Sequence, residues 1–200
     1  MESANFLLAG VGGQGTLLAS DIIADVGASA GFDVKKADVH GMAQRGGAVV
    51  SHVRWGERVA SPLCERGQVD YFVAQEMLES ARWIEYLKPE GLAIVSQQRI
   101  VPASTVFGND AYPDLSNMNA LLAQATSHFY LVDAMTIAEQ LGNTRVANIV
   151  LLGALSRFLT TPADAWLDVI LQRVPGKYAN VNRQAFEIGR DQVATVSTVP

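Results

Sequence analysis

The chain has 200 residues, of which 49% are hydrophobic, and a formal net charge of −5 at pH 7. This length and composition suffice for one well-buried core and exclude two full α/β domains, so we expect a single domain over residues 1–200. The acidic balance and the absence of a dense run of Lys and Arg argue against nucleic acid or an anionic membrane surface as the main partner.

The first predicted elements are a buried strand and a helix joined by a glycine-rich turn. An apolar run at 5–9 is typical of a parallel strand, and from Thr16 apolar residues recur at helical spacing. The turn between them, here called the glycine loop, carries Gly10, Gly12, Gly13, Gln14 and Gly15. Glycines let the backbone approach a ligand closely, and free amides at a helix start attract a phosphate or carboxylate. These five residues are predicted to bind a cofactor; close helix packing without a ligand is the alternative.

A second strand is predicted from Asp33 to Val39, and an acidic residue near its end raises the alternative of dinucleotide binding. The dinucleotide fingerprint requires an acidic residue there to bind a ribose hydroxyl, and Asp38 is the only good candidate. A free-standing NAD(P)-dependent oxidoreductase is therefore a competing hypothesis. The next strong pattern is extended instead of helical, which speaks against it because a full dinucleotide site needs two mononucleotide halves.

A polar segment, the second loop, follows this strand. Its candidate substrate or interface residues are His40, Gly41, Gln44, Arg45, Gly46 and Gly47. An amide and a guanidinium can bind a carboxylate, a phosphate or a partner's backbone. The alternative is a solvated connection in which Arg45 pairs with a surface acid.

Strict alternation then predicts a strand over 49–55, with His52 and Arg54 on one face. A turn at 56–58 leads into 59–61, which we interpret as the second arm of a β-hairpin. His52 is a further candidate for substrate or interface contact, although polar residues on a half-buried strand favour a structural role for it.

The rest of the chain returns to alternating strands and helices. Strands are predicted at 71–74, 92–95 and 129–132, and helices at 77–87, 120–125, 148–159 and 181–193. Gly153 and Ala154 are small enough to let a neighbour pack closely against the third of these helices, and the last helix is a lid or a docking element. The expected fold class is α/β: a Rossmann-like three-layer domain with a mostly parallel, mixed sheet, a β-hairpin insertion and a helical C-terminal part.

No catalytic residue and no metal site are predicted within the chain. It has no nucleophile elbow, no Walker lysine and no Gly-Asp-Gly for thiamine diphosphate. The single cysteine, Cys64, cannot hold an iron–sulfur cluster, and the histidines are not spaced as metal ligands. The longest apolar stretch, 149–155, is too short to span a bilayer and the start lacks a basic region, so we expect a cytoplasmic protein.

Four motifs together resemble one family. They are Gly10-x-Gly12-Gly13-Gln14-Gly15, the segment from Val39 to Gly47, Val50-Ser51-His52-Val53-Arg54, and Asn148 with Leu152-Gly153-Ala154-Leu155. The chain thereby resembles the γ-type subunits of 2-oxoacid:ferredoxin oxidoreductases. The form of the second loop is similar to that of the indolepyruvate branch, although Asp38 stands where a Glu is expected.

The resemblance implies an accessory subunit that is inactive alone. In that family a large catalytic α subunit carries thiamine diphosphate, magnesium and [4Fe-4S] clusters. The complex decarboxylates an aryl-2-oxoacid such as indolepyruvate, reduces ferredoxin and transfers the acyl group to coenzyme A. The glycine loop and the second loop are then expected to line the interface with the thiamine subunit, near coenzyme A. A homodimer of the isolated chain and a purely structural adaptor that binds no small molecule remain open.

Overall fold

The computed structural model describes residues 3–40, 47–101 and 112–194. Its strands are β1 (Ala4–Val11), β2 (Asp33–His40), β3 (Ala48–Gly56), β4 (Val69–Ala74), β5 (Leu87–Ser96) and β6 (His128–Val132). Its α-helices are α1 (Thr16–Ser29), α2 (Met77–Trp83), α3 (Leu115–Ala125), α4 (Ala134–Gln140), α5 (Ala147–Ser156), α6 (Ala163–Arg173) and α7 (Ala179–Ala194). Short 3₁₀ turns lie at Ile84–Tyr86, Thr144–Val146 and Gly176–Tyr178.

The strands form one six-stranded sheet in the order β2-β3-β1-β4-β5-β6. β3 is antiparallel to both of its neighbours, and the other adjacent pairs are parallel. The sheet is therefore mixed and mostly parallel, as predicted. The chain leaves β1 toward β2 on one side and later places β4 on the other side. This reversal creates a crevice at the carboxyl ends of β1 and β4, where ligands bind in open α/β sheets.

The β-hairpin is formed by different strands from those predicted. β2 and β3 pair along their whole length, from Asp33 opposite Gly56 to His40 opposite Val49. The prediction that 59–61 forms the second arm is wrong. β1 and β2 pair with the two edges of β3, so no edge of β3 is left for a further strand. Instead, the guanidinium of Arg54 donates to the carbonyl of Ser61 over 3.0 Å.

Helices cover both faces of the sheet and give the predicted three layers. On one face α1, α4, α5, α6 and α7 enclose a core that includes the buried side chains of Phe6, Leu8, Trp55, Trp166 and Phe186. On the other face α3 and the segment around Cys64 cover Leu7 and Phe72. No helix in the described ranges is long and apolar enough to cross a membrane.

Helices α5 and α7 cross so closely that there is no room for a side chain at two positions, Gly153 and Gly189. A Cβ atom on Gly153 would lie 2.1 Å from the carbonyl oxygen of Phe186, and one on Gly189 would lie 2.0 Å from that of Val150. Both distances are far below van der Waals contact, so each crossing point requires glycine. The prediction that Gly153 admits a closely packed neighbour is confirmed, and α7 is a lid over the core with Ala185 and Phe186 fully buried.

Candidate functional site

The glycine loop connects β1 to α1 at the carboxyl edge of the sheet. Gly13 and Gly15 have φ values of +106° and +80°, which favour glycine over any residue with a Cβ. Gly15 is the N-cap of α1 and no side chain caps this helix. The first amides of α1 therefore lack partners from the helix itself and carry its positive partial charge.

Gln14 holds the glycine loop against the neighbouring strand ends. Its Oε1 accepts from the amide of Val11 over 2.6 Å. Its Nε2 donates to the carbonyl of Gln75 over 2.9 Å and to Oε1 of Gln98 over 2.7 Å. The side-chain amide thus joins the ends of three strands, because its oxygen accepts from β1 and its nitrogen donates to the segments that follow β4 and β5. Direct cofactor contact by Gln14 stays a prediction, while its contacts here are with the protein.

The glycines of the loop differ in what surrounds them. A Cβ on Gly10 would lie 2.7 Å from Oγ1 of Thr16, and one on Gly15 would lie 2.6 Å from Nδ2 of Asn148. These two positions serve packing against the chain's own side chains. A Cβ on Gly13, in contrast, would meet no atom of the described residues within 4 Å. Of these three glycines, Gly13 alone faces open space. The packing interpretation therefore describes Gly10 and Gly15, and cofactor binding by the loop stays a prediction.

A cleft of about 320 Å³ opens beside Gly12 and Gly13. It lies at the crevice defined by the strand order, and it separates the glycine loop from the start of α5. Its lining residues are Gly12, Gly13, Gln14, Gln75, Ser96, Gln98, Ile100, Met135, Thr144, Arg145, Ala147, Asn148 and Leu151. Arg145 is the charged residue of this lining, and it forms no ion pair within the described part of the chain.

Buried polar atoms without partners occur on two residues of the cleft lining and on Thr16, the first residue of α1. Among the residues described, Oγ1 of Thr16, Nε2 of Gln75 and Oδ1 of Asn148 have no hydrogen-bond partner. Gln75 and Asn148 are only 3% and 2% exposed. Nearly all buried polar groups in folded proteins are hydrogen-bonded, because an unpaired one costs about 1–3 kcal/mol. Gln75 and Asn148 line the cleft, so their unpaired atoms lie next to the space that a ligand would occupy.

The second loop starts and ends at the same edge of the sheet. His40 ends β2, and the half-buried Gly47 precedes β3. The amide of Gly12 donates to the carbonyl of Gly47 over 2.9 Å, which fixes the two loops to each other. The predicted site residues Gly41, Gln44, Arg45 and Gly46 lie outside the described residues.

The structure does not bring His52 to the cleft. Its side chain lies between the strands and the segment around Cys64, and it is 5% exposed. Its Nδ1 accepts from the amide of Cys64 over 3.2 Å, and burial lowers the pKa of the imidazole. Burial also raises the pKa of the Cys64 thiol to about 11, so this thiol is unreactive. These contacts favour the structural interpretation of His52.

Asp38 is also away from the glycine loop. β3 lies between β2 and β1, so Asp38 is two strand spacings from β1, or roughly 10 Å. Its carboxylate accepts from Oγ of Ser51 over 2.6 Å and from Nζ of Lys36 over 2.9 Å. The inserted strand therefore removes the acidic residue from the position where a dinucleotide ribose would need it.

Four cleft residues were not singled out as site residues from the sequence: Gln75, Gln98, Arg145 and Asn148. The sequence could have predicted two of them, Gln75 and Gln98, because each follows an apolar strand and so lies at the carboxyl edge of the sheet. Asn148 belongs to a motif that carried the resemblance, but nothing in the sequence assigned it a role. The described residues contain no group of three or more His, Cys, Asp or Glu side chains suited to a metal ion.

Comparison with protein families gives a match over nearly the whole chain. The family model for pyruvate ferredoxin/flavodoxin oxidoreductase matches residues 5–192. The indolepyruvate oxidoreductase subunit IorB of Thermococcus kodakarensis is 36% identical over 192 residues, covering 94% of this chain and 95% of that protein. The subunit of the same name from Archaeoglobus fulgidus is 35% identical, covering 94% of each chain. The pyruvate synthase subunit PorC of Methanocaldococcus jannaschii is 24% identical, covering 92% of this chain and 93% of that one.

Solved structures have the same fold. The γ subunit of a keto/oxoacid ferredoxin oxidoreductase from Geobacter sulfurreducens is similar with a TM-score of 0.70 at 25% identity, covering 96% of this chain and 99% of that one. The 2-oxoglutarate:ferredoxin oxidoreductase of Magnetococcus marinus contains a similar fold with a TM-score of 0.76 at 21% identity. All of this chain matches 32% of that chain.

The fold and the two glycine-rich loops thus define a small α/β subunit of the γ type. The chain belongs to the pyruvate ferredoxin/flavodoxin oxidoreductase family and is a subunit of a 2-oxoacid:ferredoxin oxidoreductase. The resemblance inferred from its sequence motifs is confirmed.

Proposed function

We propose that this chain is the accessory subunit of a cytoplasmic complex that oxidatively decarboxylates indolepyruvate and related aryl-2-oxoacids. The products are the acyl-CoA, CO₂ and reduced ferredoxin. The observation that carries the proposal is the contact of the two family loops at Gly12 and Gly47, beside a cleft lined by binding groups. Such an edge is suited to holding a ligand or a partner, and the reacting groups then come from a large catalytic subunit.

The choice of an aryl-2-oxoacid is supported by the sequence relatives. Three curated proteins named as indolepyruvate oxidoreductase subunits are 34–36% identical to this chain. The protein named as a pyruvate synthase subunit is 24% identical. The second loop has the form typical of the indolepyruvate branch, so we expect the complex to prefer indolepyruvate over pyruvate.

The residues of this chain do not fit an iron–sulfur cluster, and its sequence lacks the Gly-Asp-Gly of a thiamine site. A [4Fe-4S] cluster needs four thiolates or close substitutes, and this chain has one cysteine. That cysteine is 6% exposed, behind the β-sheet. We therefore propose that thiamine diphosphate, magnesium and the clusters are bound by the large partner subunit, which also delivers electrons to ferredoxin.

Contact with coenzyme A is supported by the cleft. The uncapped start of α1 and the Arg145 guanidinium are both suited to negatively charged phosphates. The Magnetococcus marinus enzyme is described with coenzyme A and succinyl-CoA bound. When bound, coenzyme A supplies the thiol that accepts the acyl group, and the residues of this chain hold its phosphates at Gly12, Gly13 and Arg145.

The experiment is affinity purification of the tagged full chain from its native cytoplasm. We expect a larger polypeptide to co-elute, with iron and thiamine diphosphate in the eluate. The eluate should reduce ferredoxin with indolepyruvate and coenzyme A at a higher kcat/KM than with pyruvate. Recovery of the chain alone, binding NAD(H), would overturn the proposal in favour of the dinucleotide alternative. A preference for pyruvate would overturn the assigned substrate.

The second loop is tested by Arg45→Ala. We expect this variant to lower assembly or 2-oxoacid turnover severalfold while the chain stays folded, because a guanidinium at an interface binds carboxylates or carbonyls. Arg58→Ala, an exposed arginine at the opposite edge of the sheet, is the matched control. Equal turnover in the two variants would remove the second loop from the site.

A further inference from the structure

The two edges of the sheet differ in how they are protected. β2 forms one edge and β6 forms the other. Half of the residues of β2 are charged, namely Asp33, Lys35, Lys36 and Asp38, and charged side chains on an edge strand oppose pairing with another chain. β6, in contrast, contains no Asp, Glu, Lys, Arg or Pro. The β6 edge therefore lacks the features that keep a strand from taking a further partner.

The free edge of β6 presents the main-chain groups of two residues. The amide of Gln97 donates to the carbonyl of Val132 over 3.0 Å, so the main chain of Val132 faces β5. Main-chain groups alternate in direction along a strand, and those of Tyr130 therefore also face β5. The amides and carbonyls of Phe129 and Leu131 point away from the sheet, where no strand of the described residues pairs with them.

Both faces of β6 are covered by protein, while its edge is open. Tyr130 packs against Phe158 on one face, with ring centroids 5.0 Å apart. Phe129 and Leu131 pack against the core on the other face. All three strand residues nevertheless stay half-exposed. A groove of about 470 Å³ also opens beside Tyr130 and Phe158. The β6 edge thus combines free main-chain groups with apolar side chains.

The geometry of β6 is complementary to itself. If two copies meet about a two-fold axis at Tyr130, Phe129 of each copy lies opposite Leu131 of the other. Each of these two pairs exchanges two main-chain hydrogen bonds, so every outward amide and carbonyl is satisfied. Tyr130 then faces Tyr130 of the second copy in a non-hydrogen-bonded pair. Side chains lie closest in such pairs, and aromatic pairs there stabilise a sheet.

Charge also favours a second copy as the occupant. The chain has a net charge of −5, but β6 contains no acidic or basic side chain except His128. Two copies therefore meet there without like charges opposite each other. The same axis places the exposed His128 beside Asp133, which follows β6 of the second copy. Oδ1 of Asp133 accepts from the amide of Thr136 over 3.2 Å, and its other oxygen is available to an imidazole N–H.

We propose that the β6 edge is a docking surface for a second copy of this chain, which joins two six-stranded sheets into one across a two-fold axis. The inference goes beyond the proposed function and does not depend on it. The cleft beside the glycine loop stays open, so each dimer presents two clefts. A five-residue strand makes a small interface, and we expect reversible association with a Kd on the order of 10 μM.

Disulfide formation at a defined register tests the two-fold pairing. In Tyr130→Cys the two new thiols lie opposite each other, with Cα atoms about 4.5 Å apart, which a disulfide can bridge. The native Cys64 is buried and does not compete. We expect the purified full chain of this variant to form a covalent dimer under mild oxidation, measured by non-reducing electrophoresis.

His128→Cys is the matched control, because its position is more exposed but lies off the axis. Its two copies would be roughly 14 Å apart, which is too far for a disulfide. We expect little covalent dimer from this variant. Absence of a covalent dimer from Tyr130→Cys, or equal amounts from the two variants, would overturn the inference.

Analytical ultracentrifugation measures the affinity without new cysteines. The unmodified chain should change from monomer to dimer as its concentration rises through about 10 μM. Tyr130→Lys places like charges on both sides of the axis and should raise the Kd about fivefold or more. Ala37→Lys adds the same charge to the β2 edge and should leave the Kd unchanged. A chain that stays monomeric at about 100 μM, or a dimer unaffected by Tyr130→Lys, would overturn the inference.

A strand of the large catalytic subunit is the other possible occupant of this edge. In that case the isolated chain stays monomeric, and Tyr130→Lys lowers the amount of large subunit that co-purifies with it. This result would overturn the inference while supporting the proposed function. A dimer that forms through Tyr130 and co-purifies with no large subunit would support the inference and contradict the proposed function.

Discussion

The α5–α7 contact and the glycine loop both depend on glycine, for opposite reasons. At Gly153 and Gly189 the space of a Cβ is already filled by a carbonyl oxygen of the facing helix. At Gly13 that space is open to the cleft, and the glycine is required by a φ of +106°. Glycine in the first region brings two pieces of protein together. In the second it lets the chain turn while the space beside it stays open to the cleft.

The comparison is sharpest for Gly153→Ala, which should have the largest effect. The added Cβ would meet the Phe186 carbonyl, and a helix backbone cannot move aside as a side chain can. We expect a loss of about 3 kcal/mol or more in the free energy of unfolding, measured by urea denaturation. Gly176→Ala is the matched control, because nothing lies within 4 Å of its Cβ position. Equal stability of the two variants would mean that α5 and α7 can separate freely.

The next effect concerns how the glycine loop is held. Gln14→Ala removes three hydrogen bonds that join β1, β4 and β5. We expect a loss of about 2 kcal/mol in the free energy of unfolding, together with weaker coenzyme A binding, because the loop loses its fixed position. Gln172→Ala, an exposed residue of α6, should change neither quantity. If Gln14→Ala weakened coenzyme A binding without any loss of stability, direct ligand contact by Gln14 would be favoured over positioning.

Gly13→Ala separates strain from ligand binding. A Cβ at this positive φ costs about 1–2 kcal/mol. Gly31→Ala carries the same kind of strain, since Gly31 has a φ of +88° and open space around it at the far end of α1. We expect similar losses of stability in the two variants, and a loss of coenzyme A binding and of 2-oxoacid turnover by the complex in Gly13→Ala alone. Equal turnover in the two variants would make Gly13 an ordinary turn residue.

The smallest expected effect is a pH dependence from His52. Burial lowers its folded-state pKa below the unfolded value of about 6.5, so the folded state binds fewer protons. This contribution to stability is full above about pH 6.5 and is lost as the pH falls through the folded pKa. Urea denaturation at pH 7.5 and 5.5 should show a larger loss of stability for the unmodified chain than for His52→Gln. An equal loss in the unmodified chain and in His52→Gln would show that protonation of His52 does not lower the free energy of unfolding.

The sequence predicted regular elements well where one local pattern decided them. Apolar runs and strict alternation located all six strands, and helical spacing located α1, α5 and α7. The predicted strand at 59–61 was wrong because strand pairing is a non-local property, and β2 pairs with β3 along its whole length.

The prediction of the site had the same limit. The motif located the glycine loop, but only tertiary structure separates Gly10 and Gly15, which pack against side chains, from Gly13, which faces the cleft. The sequence could not place Arg145 and Asn148 in the site, because they are far from the glycine loop in sequence and only tertiary structure brings them to it.

The hydrogen bond between Asn148 and Gly15 joins residues 133 positions apart in the sequence. Contacts over such separations close late in folding, because the entropy of ordering the intervening chain is lost before the contact forms. The β2–β3 hairpin, by contrast, is made from neighbouring segments. The cleft is therefore completed only when α5 docks on the folded sheet. The chain must therefore be synthesised at least through α5 before this surface exists. A ligand bound in the cleft would stabilise only molecules in which α5 is docked.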